Sequence, residues 1–152
     1  MKILAYRGIS WISKAIRWQT RSKYSHIAIE LNDGSVIEAW HIGGVKQNAS
    51  FRTVHSLKTK VDVFEITGKY DEKKVLEFLK MQLGHKYDFR SIIRFITRKS
   101  SKISPKWFCS ELACEAFREG GLDLLSRITS SHVSPRDIGV SPLLNLIDTR
   151  TV

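Results

Sequence analysis

Two short stretches of the chain alternate apolar and polar residues, Ser25-His26-Ile27-Ala28-Ile29-Glu30-Leu31 and Ser35-Val36-Ile37-Glu38-Ala39-Trp40, with Asn32-Asp33-Gly34 between them. Period-two alternation predicts strands, and the Asn-Asp-Gly joint predicts that they pair as a hairpin. Register decides what such a hairpin can do. A three-residue turn with Gly34 left-handed sets Leu31 opposite Ser35, Ala28 opposite Glu38 and His26 opposite Trp40, so His26 and Glu38 become diagonal neighbours on one face, roughly 7–8 Å apart at the backbone. A two-residue turn moves Glu38 to the face of Ile29 and separates the pair. Both registers are compatible with the sequence, although His26, Glu30 and Glu38 fit one polar face better than two.

Helical spacing marks other segments. Met1 to Trp18 reads as a short strand followed by a helix, with Ser10 as N-cap before Trp11, Ile12, Ala15 and Ile16. Gln19 to Tyr24 is polar and reads as a loop, and Gly43-Gly44 marks a turn. Val61 to Ile66 reads as a third strand with Val61, Val63 and Phe64 in the core. Asp71 to Leu83 reads as a helix capped by Asp71, lined by Val75, Leu76, Leu79 and Leu83 and ended by Gly84. Ile92 to Thr97 is apolar but of no assignable type, and Pro105 closes the basic loop before it. Phe108 to Glu119 reads as a helix with Leu112, Ala113, Ala116 and Phe117 inward, stopped by Gly120-Gly121, and Ser134-Pro135 opens a short final helix. Hairpin strands with flanking helices predict an α+β fold, a small antiparallel sheet packed against helices.

Length and composition narrow this picture. At 152 residues, 42% hydrophobic and 26% charged, the chain reads as one globular domain spanning 1–152 with a core that needs no disulfide. Repeats, low-complexity tracts and linkers are absent. The two cysteines, Cys109 and Cys114, lie five positions apart on one helix, about 140° around its axis, and so diverge. They leave no second cysteine pair for a zinc site, no cofactor is indicated, and free thiols suggest a reducing compartment. Met1 to Trp18 is interrupted by Lys2, Arg7, Lys14 and Arg17, which fits neither a signal peptide nor a membrane span, so a cytoplasmic location is expected. The net charge of +10 favours an anionic partner, such as an anionic membrane surface or a charged cell-wall polymer, although no recognised nucleic-acid motif accompanies it. Oligomeric state is not legible.

Chemistry enters through Cys109. It opens the predicted helix in Lys106-Trp107-Phe108-Cys109-Ser110-Glu111-Leu112. The aligned peptide N–H groups of a helix start favour an anion, and the thiolate is the nucleophilic form of cysteine. Alone, a cysteine at a helix start is more often structural, and a histidine at a strand start is more often a satisfied surface or core residue. Cys109, His26 and Glu38 together supply a nucleophile, its base and the base's orienter on suitable elements. Of the remaining histidines, His41, His55, His85 and His132 read as surface residues, with His41 kept as a substitute orienter should the hairpin register shift.

The blocks Thr20-Arg21-Ser22-Lys23-Tyr24-Ser25-His26-Ile27-Ala28, Val36-Ile37-Glu38-Ala39, Gly84-His85-Lys86-Tyr87-Asp88, Phe108-Cys109-Ser110-Glu111-Leu112 and Ser134-Pro135-Arg136-Asp137 resemble the circularly permuted (YiiX/YaeF-like and LRAT-like) branch of the NlpC/P60 superfamily, papain-like cysteine hydrolases in which the histidine strand precedes the cysteine helix. The resemblance spans nearly the whole chain, and its specific parts are the Phe-Cys-Ser-Glu-Leu and Ser-His-Ile-Ala blocks. It implies a papain-like fold in permuted topology, with Cys109 as nucleophile, His26 as base and Glu38 as the third polar residue. It also implies that Tyr87 sits beside the nucleophile, lining the pocket or helping to hold the oxyanion, against a plain packing role. Glu111 is read as structural. Much of the wider family acts on cell walls from outside the cell. A phage or viral origin, delivery by lysis or an internal substrate reconciles that with a chain lacking a signal.

Three functions follow as expectations. The first is a thiol hydrolase of amide or ester bonds in a peptide or peptidoglycan fragment. The second is a lipid acyl hydrolase or acyltransferase at an anionic membrane. The third is a non-catalytic basic binding module.

Overall fold

The structure, a computed structural model, describes residues 1–86, 108–126 and 128–152. Tyr87, the apolar stretch 92–97, and Pro105 with the basic loop it closes lie outside the described residues.

Among the described residues, six strands form one antiparallel sheet: β1 (Lys2–Arg7), β2 (His26–Glu30), β3 (Val36–Trp40), β4 (Gly44–Asn48), β5 (Lys60–Ile66) and β6 (Leu144–Thr151), in the spatial order β4-β3-β2-β1-β5-β6. Four helices accompany it among the described residues: α1 (Trp11–Thr20), α2 (Glu72–Met81), α3 (Cys109–Glu119) and α4 (Pro135–Gly139), with a single 3₁₀ turn at Ser130–His132. The fold is α+β, as the patterning predicts.

The hairpin takes the three-residue turn. Leu31 N–H donates to Ser35 O at 2.8 Å, Gly34 N–H donates to Leu31 O at 3.1 Å, and Ile29 pairs with Ile37 and Glu30 with Val36. Gly34 has φ +83°, the left-handed region that this turn demands and that glycine enters without steric cost.

Alternation along the strands then divides the core in two. Ile3, Ala5, Ile27, Ile29, Ile37, Ala39 and Phe64 join α2 and α3 in the main cluster, where Leu112, Ala113, Ala116 and Phe117 are all buried. Leu4, Tyr6, Ala28, Val36, Val61 and Val63 form a smaller cluster on the opposite face, with Phe51 packed against it. The segment between β4 and β5 covers that face: Tyr6 Oη donates to Phe51 O at 3.0 Å, and the His55 ring stacks on Tyr6 at 3.7 Å.

Several boundaries follow from local chemistry. Ser10 accepts from Ser13 N–H at the start of α1, Asp71 accepts from Lys73 and Lys74 N–H at the start of α2, and Ser134 and Asp137 cap α4 reciprocally around Pro135. Helix α2 stops at Met81, two residues short of the expected end. Leu83 therefore leaves the apolar face and is exposed, and Val75 and Leu79 carry the burial. Strands β4 and β6 were not legible as strands: both are sheet edges, rich in polar residues, and they take their form from pairing with β3 and β5.

Candidate functional site

His26 is the first residue of β2. Its neighbour Ser25 fixes the entry of the chain, donating its own N–H to Tyr6 O at 2.9 Å and accepting Gly8 N–H on Oγ at 3.0 Å. From this point the imidazole projects onto the sheet face that carries Glu38. His26 Nε2 lies 2.6 Å from Glu38 Oε2.

Glu38 is 1% exposed. A carboxylate so far from water needs donors on both oxygens. Asn48 Nδ2 donates to Oε1 at 2.6 Å, and His55 Nε2 meets Oε2 at 3.1 Å, beside His26. Burial alone raises the Glu38 pKa. The hydrogen bonds from His26 and His55 outweigh it and hold the carboxyl well below the usual carboxylate range.

Cys109 stands at the first turn of α3, which packs on β2 and β3 from the helix side. Glu111 steadies that turn by accepting Phe108 N–H on its carboxylate at 3.4 Å, half of a capping box, since a phenylalanine side chain has no acceptor to complete it. The thiol lies near enough to the His26 ring to raise its pKa. With Nε2 turned to Glu38, Nδ1 is the nitrogen left for sulfur. Burial lowers the His26 pKa, but Cys109 and Glu38 more than reverse this and raise it to about 10. Cys114 is fully buried deeper in the same helix, and burial pushes its thiol up to about 11. Both cysteines are free.

His55 requires a correction. Expected at the surface, it has a side chain only 5% exposed, stacked on Tyr6 and turned to Glu38. Burial and the nearby His26 keep its pKa below the ordinary histidine value, against the pull of Glu38. No periodicity surrounds it, because the segment that carries it is a series of turns placed by tertiary contacts. His41 is exposed against Trp40 and, in the register observed, has no part in holding His26. Tyr87 lies outside the described residues.

Beside His26 opens a cavity of about 310 Å³, lined among others by Trp11, Ile12, Trp40, His41 and His55. Trp40 meets the His26 ring edge-on at 5.2 Å. His26, Glu38 and His55 also place three ligand atoms within 4.8 Å of one another, the one such cluster among the described residues.

The fold and site together define an α+β protein in which a histidine strand, paired with a carboxylate strand, faces a cysteine at a helix start. No protein-family model matches the chain, and neither does any curated protein sequence. Among solved structures it is similar to the metalloprotein YiiX from Escherichia coli O157:H7, with a TM-score of 0.72 at 21% identity over 98% of this chain and 96% of that one. At that identity the likeness shows a shared fold.

Proposed function

We propose that the chain is a papain-like cysteine hydrolase of the permuted NlpC/P60 type, cleaving an amide or ester bond through an acyl-enzyme on Cys109. One observation carries this reading: the His26 ring is held at 2.6 Å by a buried, anionic Glu38 and has the thiol at the start of α3 as an electrostatic neighbour. A histidine fixed on one nitrogen and facing a thiol on the other is the arrangement that activates sulfur.

In this reading His26 takes the Cys109 proton and sulfur attacks the substrate carbonyl. The resulting oxyanion accepts from N–H groups at the helix start, that of Cys109 included. The imidazolium returns the proton to the leaving amine or alcohol as the C–N or C–O bond breaks. Water, deprotonated by His26, then attacks the thioester and restores the thiol. Glu38 stays ionised throughout and stabilises the imidazolium; Asn48 and His55 hold Glu38.

A second reading follows from the His26–Glu38–His55 cluster and from the description of the YiiX structure as a metalloprotein. Two imidazoles and a carboxylate are a donor set that hydrolytic zinc sites use, and Asn48 on Oε1 is the kind of outer partner that orients such ligands. The residues therefore fit a divalent cation in kind and spacing. Bound there, it would supply Lewis-acid chemistry. The thiol reading is preferred because both histidines already direct Nε2 to Glu38, leaving His26 free to serve sulfur as it stands.

Hydrolysis of a chromogenic thioester or ester series, after iodoacetamide in one arm and a chelator in another, separates the two. The thiol reading expects loss on alkylation and indifference to chelation. Activity that survives alkylation of Cys109 and disappears with the chelator defeats it.

A further inference from the structure

Helix α1 buries no residue completely: Ile12 and Ile16 pack against the core, and its outer side faces solvent. The exposed residues of that helix are Trp11, Lys14 and Trp18, and Arg21 follows one residue past its end. The spacing of three and four residues stacks Trp11, Lys14 and Trp18 in a single stripe, and Arg21 stands at the left-handed cap that ends the helix beside it. Trp11 is 78% exposed and Trp18 79%. A folded chain rarely leaves two tryptophans in water on one helix face, two turns apart, without a partner. No acidic residue precedes Glu30, and neither Lys14 nor Arg21 has an acidic partner among the described residues.

We propose that this stripe docks the protein on an anionic lipid bilayer. Amphipathic indole rings favour the headgroup boundary, and flanking lysine and arginine meet anionic lipid while their stems lie along apolar surface. Charge complementarity points to lipid of negative charge, because the stripe offers cations alone between its apolar rings. Trp11 and Ile9 also line the cavity beside His26, and Ile42, 70% exposed, follows the cavity residue His41. The docking face thus adjoins the cavity mouth. This surface stands on its own geometry and goes beyond the hydrolase reading; binding to vesicles needs no turnover, so the failure of either idea leaves the other readable.

The test uses the full chain and large vesicles of phosphatidylcholine, alone or mixed with phosphatidylglycerol, with co-sedimentation and quenching of tryptophan emission by brominated lipid as readouts. Binding to the mixed vesicles with quenching is expected, weakening as salt rises. Trp11→Ala with Trp18→Ala should weaken binding about tenfold or more, since each ring removed takes a large apolar area out of the interface. Lys14→Gln with Arg21→Gln should weaken it while leaving the fold intact by circular dichroism. These exposed positions make unfolding an unexpected outcome; if the tryptophan pair does unfold the chain, quenching in the unaltered protein and the charge pair decide. Absence of binding, binding indifferent to both pairs, or an oligonucleotide bound through the same tryptophans without vesicle binding overturns the proposal.

Discussion

Asn48 donates its side-chain amide to Glu38 Oε1 at 2.6 Å, and so leaves Oε2 to His26 and His55. The bond joins two adjacent strands and locks the carboxylate in one orientation. Removing the amide in Asn48→Ala strands a buried carboxylate oxygen, which costs about 1–3 kcal/mol. Denaturant titration should show that loss, and ester turnover should fall with it. A variant as stable and active as the unaltered chain would show that Glu38 needs no such anchor.

His26 and Glu38 set a pH window. The folded His26 pKa is raised to about 10 from an ordinary 6.5, so its contribution to stability is complete below 6.5 and fades as pH climbs toward 10. Glu38 is shifted the other way: its contribution is complete above its ordinary value of 4.5 and is lost as acid protonates it in the folded state. Stability measured by chemical denaturation should therefore peak between roughly pH 5 and 6.5. Cys109→Ala, which removes one of the groups that raise His26, should flatten the alkaline limb; an unchanged limb counts against the contact.

Cys109 should be alkylated by iodoacetamide well ahead of Cys114 near neutral pH. Cys114 is an internal control in the same helix, with its thiol pushed up to about 11 by burial. His26→Ala should slow labelling of Cys109 and should lower turnover by about 10²–10⁴-fold. Mass mapping of the adducts gives the answer, and equal rates on the two thiols would end the hydrolase reading.

Gly44 begins the strand that brings Asn48 to Glu38. It has φ +75°, and an added Cβ would collide with the backbone carbonyl of His85. Its neighbour Gly43 has φ +91° but open space around it. Gly43→Ala should cost about 1–2 kcal/mol from backbone conformation alone. Gly44→Ala should cost more and reduce turnover as well, because the clash is with backbone. Thermal unfolding of the two variants side by side checks the order.

How much of this was legible depended on whether the signal was local. The hairpin, the α3 face and the juxtaposition of His26 with Glu38 rest on alternation, helical spacing and one turn motif, all contained in short windows. The two groups that flank Glu38 were not legible. Asn48 lies on an edge strand whose Lys-Gln-Asn sequence carries no strand signature, and His55 lies among turns fixed by tertiary contacts such as those of the Tyr6 side chain with the His55 ring and the Phe51 carbonyl. Asp62 escaped for the same reason. Inside an apolar strand it reads as a misplaced acid, whereas it accepts from Arg7, Lys23, Tyr24 and Thr149, residues spread along most of the chain.

The turn at Asn32-Asp33-Gly34 sets the phase of everything that follows it. One residue more, with the turn keeping its three-residue form, would slide β3 by one position, turn Glu38 toward the helices and offer His26 the side chain of Ile37. Every side chain of the proposed machinery would still be present, and none would be in partnership. Across chains that share this arrangement, the turn should then hold its length and a residue that enters the left-handed region at its third position, and an alignment gap at this point would diagnose a lost activity as surely as a missing cysteine.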